Sequence, residues 1–359
     1  MVDSKQAPLD SAAAAKAAFA SVQDKPFPDD IFTVPELRWA VIGCGVIANQ
    51  MAQSLALAGR KLAGVANRTL SKAQAFAEQY GVEKVYETVE DLYADPDIDA
   101  VYITTPHNTH ITYLRAALAA GKHVLCEKAI TLNSAELDEA RAIADEHNVV
   151  LMDATTVLHM PLYQELRRRM DAGDFGRMNL AQLNFGSYKE YGDLTNRFYN
   201  RSLAGGAMLD IGVYALSVMR LFMASQPAEV VSLGNTSETG VDVAGGIVCR
   251  NAEQQLGIVS LTLHSKQPKR SVISFDKCYI EVDEYPRADH ATIVWTADGH
   301  REEVQAGTEA YALCYEMADL EKAVAGDDSK RELLDYASDV MKLMTKLRAD
   351  WGVVYPEEE

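Results

Sequence analysis

Residues 39–48 read Trp-Ala-Val-Ile-Gly-Cys-Gly-Val-Ile-Ala. The apolar run Trp39–Ile42 ends in Gly43-Cys44-Gly45-Val46-Ile47-Ala48, and a helical pattern follows from Asn49. This is the Gly-x-Gly-x-x-Gly/Ala spacing of a strand-to-helix turn that binds a dinucleotide. Gly43 lets the chain turn tightly, Gly45 leaves room for a pyrophosphate against the backbone, and Ala48 lets helix and strand pack closely. The first helical turn, at Val46 and Ile47, offers N–H donors and a positive dipole end to phosphates.

Working outward, strand and helix patterns alternate. Trp39–Ile42, Lys61–Ala66, Lys84–Tyr86, Ala100–Thr104, His123–Cys126 and Val149–Asp153 read as strands. Ile47–Leu57, Ser71–Gln79, Ile111–Ala119 and Ser134–Glu146 read as helices, with Gly59, Gly81 and Gly121 where C-caps belong. The alternation predicts an α/β fold, with an N-terminal Rossmann domain at 37–155 built on a doubly wound parallel sheet. Before it, residues 1–36 form an extension. Its Ala-rich Ser11–Val22 predicts a helix capped by Asp10 or Ser11, and Pro26, Pro28 and Pro35 enforce an extended lead-in.

The texture changes from 156 to 359. Leu162–Ala172 reads as a helix, Leu180–Tyr188 as a strand and Ala207–Phe222 as a strongly apolar helix. Strand-like stretches follow at Val241–Arg250, Gln255–Leu263, Ser271–Phe275, Tyr279–Val282 and Ala291–Trp295, then helices at Glu309–Val324 and Lys330–Leu347. The pattern predicts a C-terminal α+β domain whose large, mainly antiparallel sheet can carry a substrate site.

Composition narrows the function classes. A chain of 359 residues suits about two domains. Its 34 basic and 52 acidic residues give a net charge of −18, which argues against nucleic acid and anionic membranes as partners. Cys44, Cys126, Cys249, Cys278 and Cys314 are odd in number, fall mainly in apolar runs and include no Cys-x-x-Cys, so reduced thiols are expected. Met-Val-Asp-Ser-Lys-Gln at the start has no secretory character, and no uninterrupted run of 18 apolar residues occurs. A cytoplasmic protein is expected.

The chemistry concentrates at the carboxyl ends of the predicted strands, where open α/β sheets hold ligands. The second ends in Asn67-Arg68-Thr69, followed by Ser71 and Lys72, with no acidic residue to bond an adenosine 2′-hydroxyl. Arg68 can stack on adenine and pair with a 2′-phosphate, so these residues favour NADP and leave NAD open. The fourth ends in Thr104-Thr105-Pro106-His107-Asn108-Thr109-His110 and the fifth in Cys126-Glu127-Lys128-Ala129. His107 and His110 lack a third partner at zinc spacing, and no metal is predicted.

Taken with Gly205-Gly206-Ala207-Met208-Leu209-Asp210-Ile211-Gly212-Val213-Tyr214, these pieces resemble the Gfo/Idh/MocA oxidoreductases over about residues 37–350. The resemblance implies a cleft lined by Thr104, Thr105, Pro106, Asn108, His110 and Glu127 around the coenzyme, with Lys128 beside the nicotinamide as the catalytic lysine. Ala129 stands where the family has proline. Tyr214, at the position of the family's acid/base histidine, is similar to the branch of glucose–fructose oxidoreductase and dimeric dihydrodiol dehydrogenase. A nearby ammonium is expected to lower the Tyr214 phenol, and burial near the nicotinamide to lower Lys128. Asp210 would orient a hydroxyl or hold Lys128. Arg197 or Arg201 is placed near the nicotinamide or the substrate, without a decision between them, and Tyr188, Tyr191 and Tyr199 either line a sugar site or pack.

The implied activity is hydride transfer between nicotinamide and a sugar, polyol or cyclic trans-diol. Two alternatives stay open: a tightly held coenzyme used for transient hydride transfer in glycoside cleavage or sugar–sugar exchange, and a non-catalytic sensor. A homodimer or homotetramer paired through the open sheet face is implied as well.

Overall fold

In the computed structural model, which describes residues 11–22 and 25–359, the early apolar runs become a six-stranded parallel sheet. Its strands are β1 (Trp39–Ile42), β2 (Gly64–Ala66), β3 (Lys84–Tyr86), β4 (Ala100–Ile103), β5 (His123–Glu127) and β6 (Leu151–Ala154). Their order is β3-β2-β1-β4-β5-β6, so the winding reverses between β1 and β4 and opens a crevice at their carboxyl ends. Strands β1, β4 and β6 are buried throughout because helices cover both faces of a parallel sheet.

Those helices are α2 (Val46–Leu57), α3 (Leu70–Tyr80), α4 (Val89–Ala94), α5 (His110–Ala119) and α6 (Ser134–Glu146), preceded by α1 (Ser11–Val22) in the N-terminal extension. The proposed cap Asp10 lies outside the described residues. Helix α4 has no counterpart in the sequence reading. Six residues are too few to show a period, and it is the Thr88 side chain, accepting from Asp91 N at 3.1 Å, that starts it.

The second half begins with α7 (Pro161–Asp171) and β7 (Met178–Gly186). After α8 (Val213–Phe222) come β8 (Glu229–Thr236), β9 (Asp242–Arg250), β10 (Leu256–Thr262), β11 (Gln267–Phe275), β12 (Cys278–Asp283), β13 (His290–Trp295) and β14 (Arg301–Gln305). The eight strands order as β14-β13-β12-β11-β7-β10-β9-β8, antiparallel except for the β7–β10 pair. One face packs on α8. The other leaves Val231, Leu233, Val248 and Ile258 exposed.

The predicted helix Ala207–Phe222 is interrupted. It opens with a π turn at Met208–Gly212 before α8. Gly212 lets this turn press against β10, since a Cβ there would lie 3.0 Å from Leu261 and 2.9 Å from the Met208 sulfur. The stretch Arg201–Phe222 is long and apolar enough to cross a membrane by composition (mean hydropathy 1.4), yet 78% of its most apolar window is buried inside the protein. Burial on all sides explains its apolarity.

Closing helices α9 (Ala312–Val324), α10 (Asp328–Arg331) and α11 (Leu333–Asp350) return to the first half. Leu313, Met317 and Leu320 of α9 share one core with Trp39, Val41, Tyr102 and Leu125 of the parallel sheet. Helix α11 packs on α6 and α8. The two sheets are thereby fixed with the crevice between them.

Candidate active site

The glycine turn has the shape its sequence asks for. Gly43 sits at φ +102°, and a Cβ there would lie 2.7 Å from Thr104 Oγ1, so only glycine fits without strain. Gly45 caps α2 without a side-chain hydrogen bond, and the space a Cβ would occupy above it is open to 4 Å. The uncapped donors of Val46 and Ile47 and this clearance suit a diphosphate. At the end of β2, Asn67 Nδ2 donates to Thr69 O at 3.0 Å, while Arg68, Ser71 and Lys72 are exposed along the same edge. Burial pushes the Cys44 thiol up to about 11, against the opposing charge of Lys72. All five cysteines are free thiols.

The β4 loop is fastened from inside. Thr104 Oγ1 donates to Ile42 O at 3.0 Å, and Thr109 Oγ1 lies 2.8 Å from Thr105 Oγ1 and 2.7 Å from Pro106 O. His110 is fully buried, with its ring nitrogens 2.7 Å from Thr105 O and 3.1 Å from Ala129 O. His107 spans Ala204 O at 3.3 Å and Lys128 O at 3.1 Å. Asn108 Nδ2 donates to Glu357 Oε1 at 2.7 Å and to Ser202 O at 3.2 Å. The sequence reading put His110 and Asn108 against the coenzyme. Both His110 ring nitrogens and Asn108 Nδ2 are engaged within the protein and fasten the surrounding loops, while Asn108 Oδ1 is buried without a hydrogen-bond partner among the described residues. Burial and the neighbouring His110 and Lys128 depress His107 to about 3, so it is neutral at pH 7.

Lys128 follows the last residue of β5. Its Nζ donates to the Asp210 backbone oxygen at 2.6 Å, lies 3.4 Å from Asp210 Oδ1, and stands 4.8 Å from the centroid of the Tyr214 ring. The three residues singled out in the sequence therefore meet at one point, Asp210 in the π turn and Tyr214 in α8. The Lys128–Ala129 peptide is cis. Of the two arginines, Arg197 approaches the same Asp210 Oδ1 at 3.5 Å. Arg201 turns away to Val354 O at 2.7 Å and to the Glu359 carboxylate. Tyr199 is buried, with its hydroxyl on Lys189 O at 3.0 Å, so it packs and does not line the cleft; Tyr191 and Tyr188 are exposed.

Two expectations about protons are overturned. Burial works against the Lys128 charge, but the adjacent Tyr214 and Asp210 outweigh it and hold the lysine above its ordinary value. Burial likewise raises the Tyr214 phenol by more than Lys128 lowers it. Asp210, which burial alone would raise, is held below the usual carboxylate range by Lys128 and Arg197. The cluster without ligand is an ammonium, a carboxylate and a neutral phenol.

Behind Lys128 lies a second group. The Tyr102 hydroxyl donates to Glu127, which faces the buried Glu316 and Asp153. Burial dominates here, raising Asp153 to about 6, Glu127 above its ordinary value and Glu316 far above it. The Arg287 guanidinium forks onto Gln50 Oε1 with both contacts at 3.3 Å, and its charge is felt by Glu127, Glu316 and Tyr214. Sequence reasoning missed both Glu316 and Arg287. An acid inside the apolar run Ala312–Ala318 was the available signal for Glu316. Arg287 offered none. Among the described residues no group of three His, Cys, Asp or Glu could hold a metal ion.

Residues 37–155 match the oxidoreductase family described by its NAD-binding Rossmann fold, and residues 163–281 match the GFO/IDH/MocA C-terminal domain. The chain belongs to the Gfo/Idh/MocA oxidoreductase family. It is an NAD(P)-dependent oxidoreductase. Among curated proteins it is similar to trans-1,2-dihydrobenzene-1,2-diol dehydrogenase of Xenopus laevis, 28% identical over 89% of this chain and 99% of that one. The enzyme of that name from Mus musculus is 32% identical over 67% of this chain and 73% of its own. Two solved structures share the fold. A levoglucosan dehydrogenase in complex with NADH and levoglucosan has a TM-score of 0.76 at 20% identity, covering 87% and 97% of the two chains. A 3-ketoreductase from Actinomadura kijaniata with NADP and TDP-benzene has a TM-score of 0.73 at 24% identity, covering 88% and 98%.

Proposed function

We propose that this Gfo/Idh/MocA member is an NADP-preferring dehydrogenase or reductase acting on a secondary hydroxyl or carbonyl of a sugar, polyol or cyclic trans-diol. One observation supports the reading: a mostly buried lysine ammonium just past the carboxyl end of β5, in the same sheet whose β1 ends in the glycine turn, has Asp210 and Tyr214 around it. The named activities of the diol and levoglucosan dehydrogenases support the substrate class. Gly43, Gly45, Val46, Ile47 and Thr104 to Pro106 would cradle the coenzyme, with Asn67, Arg68, Ser71 and Lys72 at its adenosine end. The bound nicotinamide accepts or supplies the hydride.

Oxidation of the alcohol also releases a proton from oxygen, and the protein must take it. Lys128 hydrogen-bonds the reacting oxygen and stabilises the negative charge that develops there. The neutral Tyr214 phenol takes the alcohol proton only as it passes its own on to solvent, and in the reductive direction it gives its proton to the oxygen and is reprotonated from solvent. Asp210 keeps Lys128 charged and orients a neighbouring hydroxyl, with Arg197 at the cleft mouth. The same reading divides the chain near residue 155 into coenzyme and substrate domains. It also pairs copies through the exposed β8–β10 face as a dimer or tetramer, and places the enzyme in the cytoplasm.

The test is a panel of aldoses, polyols and diols offered with NADP and NAD in parallel, following near-ultraviolet absorbance of the reduced coenzyme. At least one sugar or diol should give a signal, faster with NADP, and Arg68→Ala should cut the NADP preference about tenfold. Silence across the panel with both coenzymes would overturn the substrate class. An NADP preference untouched by Arg68→Ala would overturn the coenzyme assignment.

A further inference from the structure

Asp242, the first residue of β9, is fully buried. Its Oδ2 accepts from Met208 N at 2.6 Å, the short contact of a charge-assisted bond. Its Oδ1 has no hydrogen-bond partner among the described residues. That oxygen fills the space a side chain on Gly206 would need, since a Cβ there would lie 2.4 Å from it. Gly206 sits at φ +126°, where glycine is at ease and other residues are strained. A buried carboxyl group with one oxygen unused is costly to keep.

What Asp242 holds is the head of the segment that carries Asp210. Met208 begins the π turn, and both of its backbone polar groups are taken: Asp242 binds its N–H, and Val213 N donates to its carbonyl oxygen. Upstream, Gly206 N donates to Phe198 O at 3.0 Å and the Tyr355 hydroxyl donates to Gly205 O at 2.7 Å. Asp210 stands two residues past Met208. Its backbone oxygen and Oδ1 are the atoms that meet Lys128 Nζ, at 2.6 and 3.4 Å. Such π turns are rare and recur at functional sites. Arg348 of α11 and Tyr355 share the surroundings of Asp242. Burial raises the Asp242 carboxyl to about 6 although the bond from Met208 N and the Arg348 charge oppose it, so the carboxylate prevails at neutral pH.

We propose that Asp242 is a positioning residue of the active site: by holding Met208 N it keeps the Asp210 turn closed on Lys128. It acts through Asp210 and not on the reacting atoms. Without that bond Met208 N would be left buried and unpaired, and the turn would relax to find it another partner. A shift of about 1 Å at Asp210 is enough to weaken its hold on the lysine ammonium and to slow a reaction that depends on that ammonium. The effect of Asp242 on turnover rests on the activity proposed above, whereas its effect on the Lys128 charge does not.

The test compares the full wild-type chain with Asp242→Ala, Asp242→Thr and Asp242→Asn. The first two lack an oxygen that reaches Met208 N, and Asp242→Thr keeps more bulk and suits a strand. Asp242→Asn keeps an acceptor and loses only the charge. With isotopically labelled lysine, the NMR shift of Lys128 Cε is followed against pH, its signal assigned from its loss in Lys128→Met. The Lys128 midpoint should fall by about one pH unit in Asp242→Ala and Asp242→Thr as Asp210 draws away. In Asp242→Asn it should stay within about 0.3 unit of the wild type. On a sugar or diol that the wild type turns over, kcat/KM should fall about tenfold in the first two and less than about threefold in Asp242→Asn, with NADP affinity held within about threefold throughout. Melting temperatures read any loss of stability separately. An unmoved Lys128 midpoint in folded Asp242→Ala or Asp242→Thr overturns the inference. So does an equal fall in Asp242→Asn, which would assign the effect to charge alone. Failure of both Asp242→Ala and Asp242→Thr to fold overturns it too, by making Asp242 a residue of stability only. If the wild type turns over no sugar or diol, it is the proposed activity that fails, and the lysine titration still decides the role of Asp242.

Discussion

Glu127 and Lys128 are neighbours at one strand end, and they lead into opposite electrostatic worlds. Successive side chains of a strand point to opposite faces, so the lysine enters the crevice while the glutamate enters the layer beneath α9. On the lysine side a buried acid is ringed by cations, and Asp210 stays ionised below its usual range. On the glutamate side buried acids face one another, and Glu316 and Asp153 are pushed toward their neutral forms. The carboxyl groups of both regions are largely buried, so burial alone does not set the charge of a carboxyl group. The sign of what is buried with it does.

The largest test of this contrast is Lys128→Met, which removes the cation and keeps the bulk. Turnover should fall at least about a hundredfold while coenzyme affinity moves less than about threefold, read by steady-state rates and by titration. Wild-type turnover in that variant would remove the lysine from the chemistry. Asp210→Asn is next, with an expected loss of about tenfold in kcat/KM. Asp210 favours the charged lysine, so its neutral replacement lowers the Lys128 pKa, and the alkaline limb of the rate profile should move to lower pH. An unmoved limb would show that the carboxylate does not act on the lysine.

The smallest effect belongs to the acid side. The folded pKa of Glu316 lies above its ordinary value, so its favourable contribution is complete at acid pH and is lost as pH rises toward that folded value. Glu316→Gln should therefore flatten the fall in melting temperature as pH rises above the ordinary carboxylate range, with turnover nearly unchanged. Parallel melting curves for variant and parent would contradict a protonated Glu316.

The contrast also separates what could be read from the chain from what could not. Gly43 and Gly45 announce their turn because the backbone geometry they permit is local, and the six parallel strands follow from alternation around them. Spacing put Asp210 and Tyr214 on one helix face, and their meeting with Lys128 was legible only through the resemblance to the family. Its protonation was not, since desolvation depends on packing by distant segments, such as Phe185 of β7, whose ring lies 6.1 Å from that of Tyr214. Arg287 reaches Gln50 across much of the chain, and nothing near either residue foretells it. The π turn at Met208–Gly212 is hidden for a related reason. A helical pattern does not reveal that Gly212 will be pressed onto β10.

Strand β7 occupies the middle of the eight-stranded sheet, yet its partners β10 and β11 come later in the chain. During synthesis it leaves the ribosome with both edges bare, and residues 187–255 must emerge before β10 can cover one of them. Such distant pairing is slow, and an uncovered apolar strand is open to association with other nascent chains. The substrate half should thus depend more on chaperones than the coenzyme half, where β1 needs only the short loop after α2 before β2 arrives beside it.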